Sequence, residues 1–185
     1  PLICDTKYVK NILVFATDSR GNEAGRSDTM ILLSVNEKTG KIVLCSFMRD
    51  ILVSIPGRGL DKMCHAHAYG GWQLLLDTIK ENYNIDVDHF VKINFFSFID
   101  IVDALGGLDV ELTVDEIKTL NFYLLEGNEL LGRPAGTDNL PEKAGTYHLN
   151  GAQALGYARN RYDGEDFQRT ERQRIIIGKM IFLSV

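Results

Sequence analysis

Two apolar runs, residues 30–35 and 42–48, are separated by Asn36-Glu37-Lys38-Thr39-Gly40-Lys41, and no other stretch constrains the fold as much. Asn and Gly form turns at this hairpin distance, so the two runs pair antiparallel. The first run is approached through Gly25-Arg26-Ser27-Asp28-Thr29, and the second leaves through Arg49-Asp50. Both open ends of a hairpin lie at one end of a sheet, which predicts that Asp28 and Arg49 are neighbours. A third run, residues 11–16, reads as a strand buried on both faces. It exits into Thr17-Asp18-Ser19-Arg20-Gly21.

Strand and helix signals then alternate. Residues 51–55 are extended and stop at Pro56-Gly57. After Gly70-Gly71, the positions Trp72, Leu75, Leu76, Ile79 and Tyr83 recur at helical spacing. Residues 90–94 read as a strand, and Ser97 as the cap of a helix bearing Ile99, Ile101, Val102 and Leu105, which Gly106-Gly107 would end before a strand at 108–112. Val114, Ile117, Leu120, Leu124 and Leu125 suggest a helix, and 133–141 is a loop by composition, with no recognisable chemistry in 113–147. A capped helix begins near Asn150, and Asp166 is placed to cap a last one. With 185 residues and 45% hydrophobic content, these elements predict an α/β fold in one domain spanning 1–185. Its form would be an α-β-α sandwich, a central mixed and mostly buried sheet flanked by helices.

Five of the ten arginines fall within 157–174 (Arg159, Arg161, Arg169, Arg172 and Arg174), while no lysine occurs between Lys143 and Lys179. Planar guanidinium forks hold phosphate or carboxylate oxygens bidentately, which an ammonium cannot do. Arg159 and Arg161 are expected to alternate along an extended segment. Arg169, Arg172 and Gln173 share one face at the start of the final helix, where free N–H groups already favour an anion. The alternative for that face is a solvated surface of ion pairs. A net charge of −5 argues against nucleic acid as a partner.

Asp18 and Asp28 are acids at the mouths of buried strands and are candidates for a hard divalent ion, which takes one or two carboxylates together with phosphate oxygens. Arg20 and Arg26 flank them in sequence, Arg49 is expected beside them, and Lys62 is a further candidate for a phosphate contact. His65 and His67 form an H-x-H pair of the kind that faces one way on a strand, but no third ligand stands at a recognisable spacing, so they are not read as a metal site. The serines have no His/Asp partner set for a Ser-His-Asp hydrolase. Cys4, Cys45 and Cys64 fit neither a disulfide framework nor a zinc spacing and are read as free, buried thiols. No apolar run is long enough to span a bilayer, and a chain that starts at Pro1 reads as an excised domain.

In order along the chain stand N-I-L-V-F-A-T-D-S-R (11–20), G-R-S-D-T-M (25–30), S-F-M-R-D (46–50), H-A-H-A-Y-G-G (65–71), D-A-L-G-G-L-D-V (103–110), L-N-G-A-Q-A-L (149–155) and R-N-R-x-D-G-E-D-F-x-R-x-x-R-Q (159–173). Seven landmarks in register over nearly the whole chain resemble the catalytic domain of the LytR-CpsA-Psr family of cell-wall glycopolymer transferases. The resemblance implies a membrane-anchored enzyme whose domain lies on the extracytoplasmic face. It implies transfer of a phosphoglycan, such as teichoic acid or capsular polymer, from a polyprenyl diphosphate carrier to a peptidoglycan sugar hydroxyl. In the family's pattern Asp18 and Asp28 serve Mg²⁺, with Mn²⁺ as its substitute, and Asp28 is also a candidate base. Arg26, Arg49, Arg159, Arg161, Arg169 and Gln173 then contact the diphosphate, and Asp166 orders the arginines.

Cys64 and His67 depart from the family pattern, which commonly has Asn and an aromatic Tyr there. The polyprenyl tail needs a long apolar cavity, for which Leu75, Leu76, Ile79, Ile99 and Val102 are wall candidates, with ordinary core packing as the alternative. Two other readings stand beside this one: a non-catalytic or regulatory polyprenyl-phosphate-binding module, which would tolerate loss of the acid at Asp28, and a pyrophosphatase or phosphodiesterase on the same carrier, which shares every one of these residues.

Overall fold

The computed structural model describes residues 6–17, 25–160 and 166–183, and two compact units divide the chain, Pro1–Asn94 and Phe95–Val185. The first contains β1 (Val9–Thr17), β2 (Ser27–Asn36), β3 (Lys41–Ser46), β4 (Leu52–Ile55), β5 (Gly59–Lys62), α1 (Met63–Tyr83) and β6 (His89–Ile93). Four of these strands form one sheet in the order β3-β2-β1-β6, with β4 and β5 a separate hairpin. The 36–41 turn closes as expected. The Asn36 side chain accepts from the Lys38 and Thr39 amides, and Asn36 stands opposite Lys41 in the β2–β3 ladder. β1 is antiparallel to β2 and parallel to β6, so the sheet is mixed.

Burial of the sheet is more one-sided than the apolar runs imply. On β1, Leu13, Phe15 and Thr17 are buried while Ile12, Val14 and Ala16 are only half-buried. The outer strands β3 and β6 are largely exposed. A continuous apolar run does not report how much each face is covered. The enclosed face packs Leu13, Phe15, Met30 and Leu32 against Leu75 and Ile79 of α1, with Phe47, Val53, Ile55, Met63 and Ala66 completing the core.

Helix α1 starts at Met63, seven residues before Gly70, and not after the glycine pair as its spacing predicts. Its first amides find carbonyls in the segment between β3 and β4: Met63 N–H donates to Ile51 and Cys64 N–H to Arg49, at 2.9 and 3.0 Å. Those long-range partners settle donors that a helix cannot satisfy by itself. The glycine pair instead breaks the helix, since Gly71 has φ 66°, a conformation that side-chain-bearing residues resist. His65 and His67 therefore lie on a helical turn and not on a strand.

The second unit contains α2 (Phe95–Ala104), β7 (Leu108–Leu112), α3 (Val114–Leu130), β8 (Gly145–Leu149), α4 (Gly151–Arg159) and α5 (Asp166–Leu183). Ser97 falls inside α2 and is not its cap. α3 opens with a capping box between Thr113 and Glu116, and α4 with one between Asn150 and Gln153. β8 pairs antiparallel with β7 across an intervening helix and loop, a partnership with no local signal. Leu108, Val110, Leu112, Ile117, Leu120, Leu124, Leu149, Tyr157 and Ile176 form this unit's core. With its mixed sheet and, among the described residues, five helices, the chain is the α/β protein that the alternation predicts.

Candidate functional site

Asp28 and Arg49 meet where the hairpin opens, as its geometry requires: Arg49 Nη1 is ion-paired with Asp28 Oδ1. The chain of charges continues. Arg49 Nε donates to Asp50 Oδ2 at 3.2 Å, and Lys62 Nζ donates to Asp50 Oδ1 at 2.8 Å. Partial burial by itself would lower the Arg49 pKa, but the charge and hydrogen bond of Asp28, followed by those of Asp50, raise it instead. Asp50 is held below its ordinary value, first by the Lys62 hydrogen bond. The result is a row of alternating charge, Asp28, Arg49, Asp50 and Lys62, in which the guanidinium is held from two sides while remaining partly exposed. Asp50 was not among the expected site residues; its place directly after Arg49 was the available signal.

The first two turns of α1 flank this row. His67 is buried, and its Nδ1 lies 2.6 Å from the carbonyl oxygen of Gly25, one residue before Arg26 and three before Asp28. Its ring tilts against Phe15 at 5.2 Å between centroids. His65 Nδ1 lies 2.9 Å from Asp61 Oδ1, while Tyr69 Oη donates to Asp61 Oδ2 at 2.7 Å. The Tyr69 hydroxyl, then the Lys62 amide and His65, hold the Asp61 carboxyl at about 2. The two histidines thus have separate oxygen partners. Burial, followed by the nearby Asp50 carboxylate, pushes the Cys64 thiol up. Cys64 is a buried free thiol, Cys45 is an exposed one, and Cys4 lies outside the described residues.

In the second unit Arg159 is the last residue of α4, so it does not lie on an extended segment as expected: the helix runs through it and is capped at Asn160. Its guanidinium lies over two rings, Phe95 at 4.8 Å and Tyr123 at 5.0 Å, and its Nη2 donates to Glu126 Oε2 at 2.9 Å. Flat packing on aromatic faces and one carboxylate fix the orientation of this fork. Arg169 is buried at 4% exposure. Gln173 donates to the Ala158 carbonyl at 3.5 Å, which ties α5 to α4. Arg161 and Asp18 lie outside the described residues, and of Asp166 only the backbone that opens α5 is described.

Arg172 shows that part of the arginine cluster is architectural. Its Nε donates to Glu116 Oε1 at 3.0 Å and its Nη1 to the Asn160 carbonyl at 3.3 Å, nearly out of solvent. Burial alone would raise the Glu116 pKa. Hydrogen bonds from the Thr113 amide, Arg172 and the Thr113 hydroxyl together outweigh it, and the net shift is downward. A carboxylate with a depressed pKa contributes stability that is fully present above its unfolded value and is lost as pH falls through the folded value. Stability measured by urea denaturation is therefore expected to drop as pH falls below 4.5, the ordinary glutamate value. Glu116→Gln keeps a capping-box side chain but loses the charge. It should cost about 2 kcal/mol at neutral pH and flatten the acid limb; an unchanged acid limb would refute this role.

The donor set for a metal is sparse within the described residues. No group of three or more His, Cys, Asp or Glu side chains converges there. Asp28 offers one carboxylate, whose Oδ1 is engaged by Arg49. A single carboxylate is the kind of donor a hard ion such as Mg²⁺ takes together with phosphate oxygens. The apolar candidates are core residues: Leu75 and Ile79 are fully buried in the first unit, Leu76 packs beside them, Val102 is fully buried in the second, and Ile99 is 7% exposed. Among the described residues no helix is long and apolar enough to cross a membrane.

The model of the LytR_cpsA_psr family matches residues 4–182. Polyisoprenyl-teichoic acid–peptidoglycan teichoic acid transferase TagU of Halalkalibacterium halodurans is 39% identical over 175 residues, which is 92% of this chain and 52% of that protein. TagU of Bacillus subtilis is 36% identical over 174 residues, 92% of this chain and 51% of that protein. The chain therefore spans about half the length of the curated relatives it matches. Among solved structures, TagT bound to LI-WTA superposes with a TM-score of 0.80 at 34% identity, covering 96% of this chain and 65% of that one. The family protein YwtF (TagT) with bound octaprenyl pyrophosphate lipid gives 0.76 at 33% identity, with the same coverage of 96% and 65%.

Proposed function

The chain belongs to the LytR-CpsA-Psr family, and from that premise we propose that it transfers a phosphate-linked glycopolymer of the teichoic acid or capsular kind from a polyprenyl diphosphate carrier to a sugar hydroxyl of peptidoglycan. The observation that carries this reading is Arg49, held where the β2–β3 hairpin opens, between Asp28 and Asp50. In the proposed reaction the acceptor hydroxyl attacks the phosphorus bearing the glycan. A P–O bond forms to the acceptor, the phosphoanhydride P–O bond breaks, and polyprenyl phosphate leaves with the electron pair. The hydroxyl proton passes to a base, for which Asp28 is the candidate.

Phosphoryl transfer asks for positioning and for cations at the spread negative charge. Arg49, Arg26 and Lys62 are assigned to phosphate oxygens in the first unit, and Arg159, Arg169 and Gln173 are given phosphate-binding roles in the second. Asp18, Arg161 and Asp166 keep the roles that the family likeness implies. Mg²⁺, with Mn²⁺ as its substitute, is proposed at Asp28 and Asp18, where it would offset charge on the diphosphate oxygens. The domain is proposed to work on the extracytoplasmic face of the cell membrane, held there by an anchor outside this chain.

The test is product analysis with a polyprenyl-diphosphate-linked glycopolymer, with and without peptidoglycan. Polyprenyl phosphate and peptidoglycan-attached glycan should appear together, and only when the acceptor is present. Release at equal rate without acceptor would make the protein a hydrolase, and binding without release would make it a carrier-binding module.

A further inference from the structure

A cleft of about 640 Å³ runs along α3, lined by Phe122, Leu125, Glu126, Glu129, Arg133 and Ala135. Positions 122, 125, 126 and 129 fall on one helical stripe, turned away from the stripe that buries Ile117, Leu120, Leu124 and Asn128. The stripe covers about 10 Å of helix, enough for a short stretch of sugar rings. Phe122 is 68% exposed and Leu125 46% exposed, which leaves an apolar floor in water. Two carboxylates, Glu126 and Glu129, stand beside it.

Each of these features suits a pyranose chain. The C–H face of a sugar ring packs on an aromatic surface, and its hydroxyls donate to carboxylate oxygens, which are acceptors only. An apolar floor with a few placed polar groups is the usual composition of a small-molecule site. Charge decides which glycan fits. Arg133 is already opposed by Asp138 at 3.5 Å, and Glu129 adds a further negative charge, so a poly(polyol phosphate) would meet like charge here. A neutral glycan would not. Glu126 is shared: its carboxylate lines the cleft and also accepts from Arg159 Nη2 at 2.9 Å.

We propose that the α3 cleft binds the neutral sugar backbone of the acceptor, and that Glu126 couples that subsite to the Arg159 guanidinium. The inference rests on the transferase reading above. It names the half of the reaction that the charged row around Arg49 leaves without a binding surface.

Chitotetraose, a neutral oligomer of N-acetylglucosamine, is the probe. Added to the intact chain, it should shift amide resonances of α3 around Phe122, Leu125 and Glu129. Phe122→Ala and Glu129→Gln should each weaken its binding about tenfold with unchanged circular dichroism. In the transfer assay the same variants should raise KM for the glycan acceptor by a similar factor, with kcat moving less. Wild-type affinity for chitotetraose in Phe122→Ala, or shifts caused by a poly(glycerol phosphate) fragment and not by chitotetraose, would overturn the assignment. If chitotetraose binds α3 as described while no transfer product forms, the transferase reading falls and the glycan site stands.

Discussion

Asp28→Asn is expected to lower transfer by about 10²–10³-fold while the protein stays folded. The asparagine is nearly isosteric, so packing at the mouth of β2 is kept. It cannot pair its charge with Arg49, carry a proton away from the acceptor hydroxyl, or offer a carboxylate to a divalent ion. The direct stability loss should be about 1 kcal/mol or less, because the Asp28 and Arg49 side chains are 33% and 23% exposed. Rate and stability should therefore separate: a large fall in polyprenyl phosphate release, with a small shift in Tm. Binding of polyprenyl phosphate should survive in part, since the guanidiniums remain. Wild-type turnover in this variant would remove Asp28 from the reaction, and with it the proposed metal position.

Arg159→Ala should have a comparable effect, a loss of about 10²-fold or more, for a different reason. Its guanidinium is oriented before any substrate arrives, by Phe95, Tyr123 and Glu126. Preset orientation is what makes one charge effective at the transition state, since nothing has to reorganise as negative charge develops. Arg159→Lys keeps the charge but loses the planar fork that lies on the two rings, so it should recover only a fraction of the rate. If lysine restored full activity, charge alone would be the requirement and the aromatic cage would have no bearing on turnover. Full activity in the alanine variant would exclude Arg159 from the site.

Local signals proved readable along the chain. The 36–41 turn, the capping box at Asn150 and the helical spacing of Leu75 and Ile79 each depend on residues a few positions apart, and each took the expected form. The start of α1 was not legible, because its first amides are satisfied by the carbonyls of Arg49 and Ile51. β8 was missed for a related reason, since its hydrogen-bonding partner is β7, on the far side of α3. Helical spacing places Arg172 on the anion-favouring face of Arg169 and Gln173, yet it is tied to Glu116, 56 residues away, in a structural pair. Composition counts guanidiniums but cannot say which of them are consumed by architecture.

By itself the sequence determined that Asp28 and Arg49 meet, because a hairpin with a short turn leaves its two open ends no other arrangement. It also determined the helix that Asn150 caps, because that box closes within three residues. Only the tertiary structure decided that Asp50 and Lys62 extend that pair into a row, that His67 braces the Gly25 carbonyl, and that Glu126 joins Arg159 to a cleft on α3. These are contacts between residues 12, 42 and 33 positions apart. Side chains so far apart along the chain meet only after the backbone has folded, and periodicity, which reports the local backbone alone, carries no trace of them.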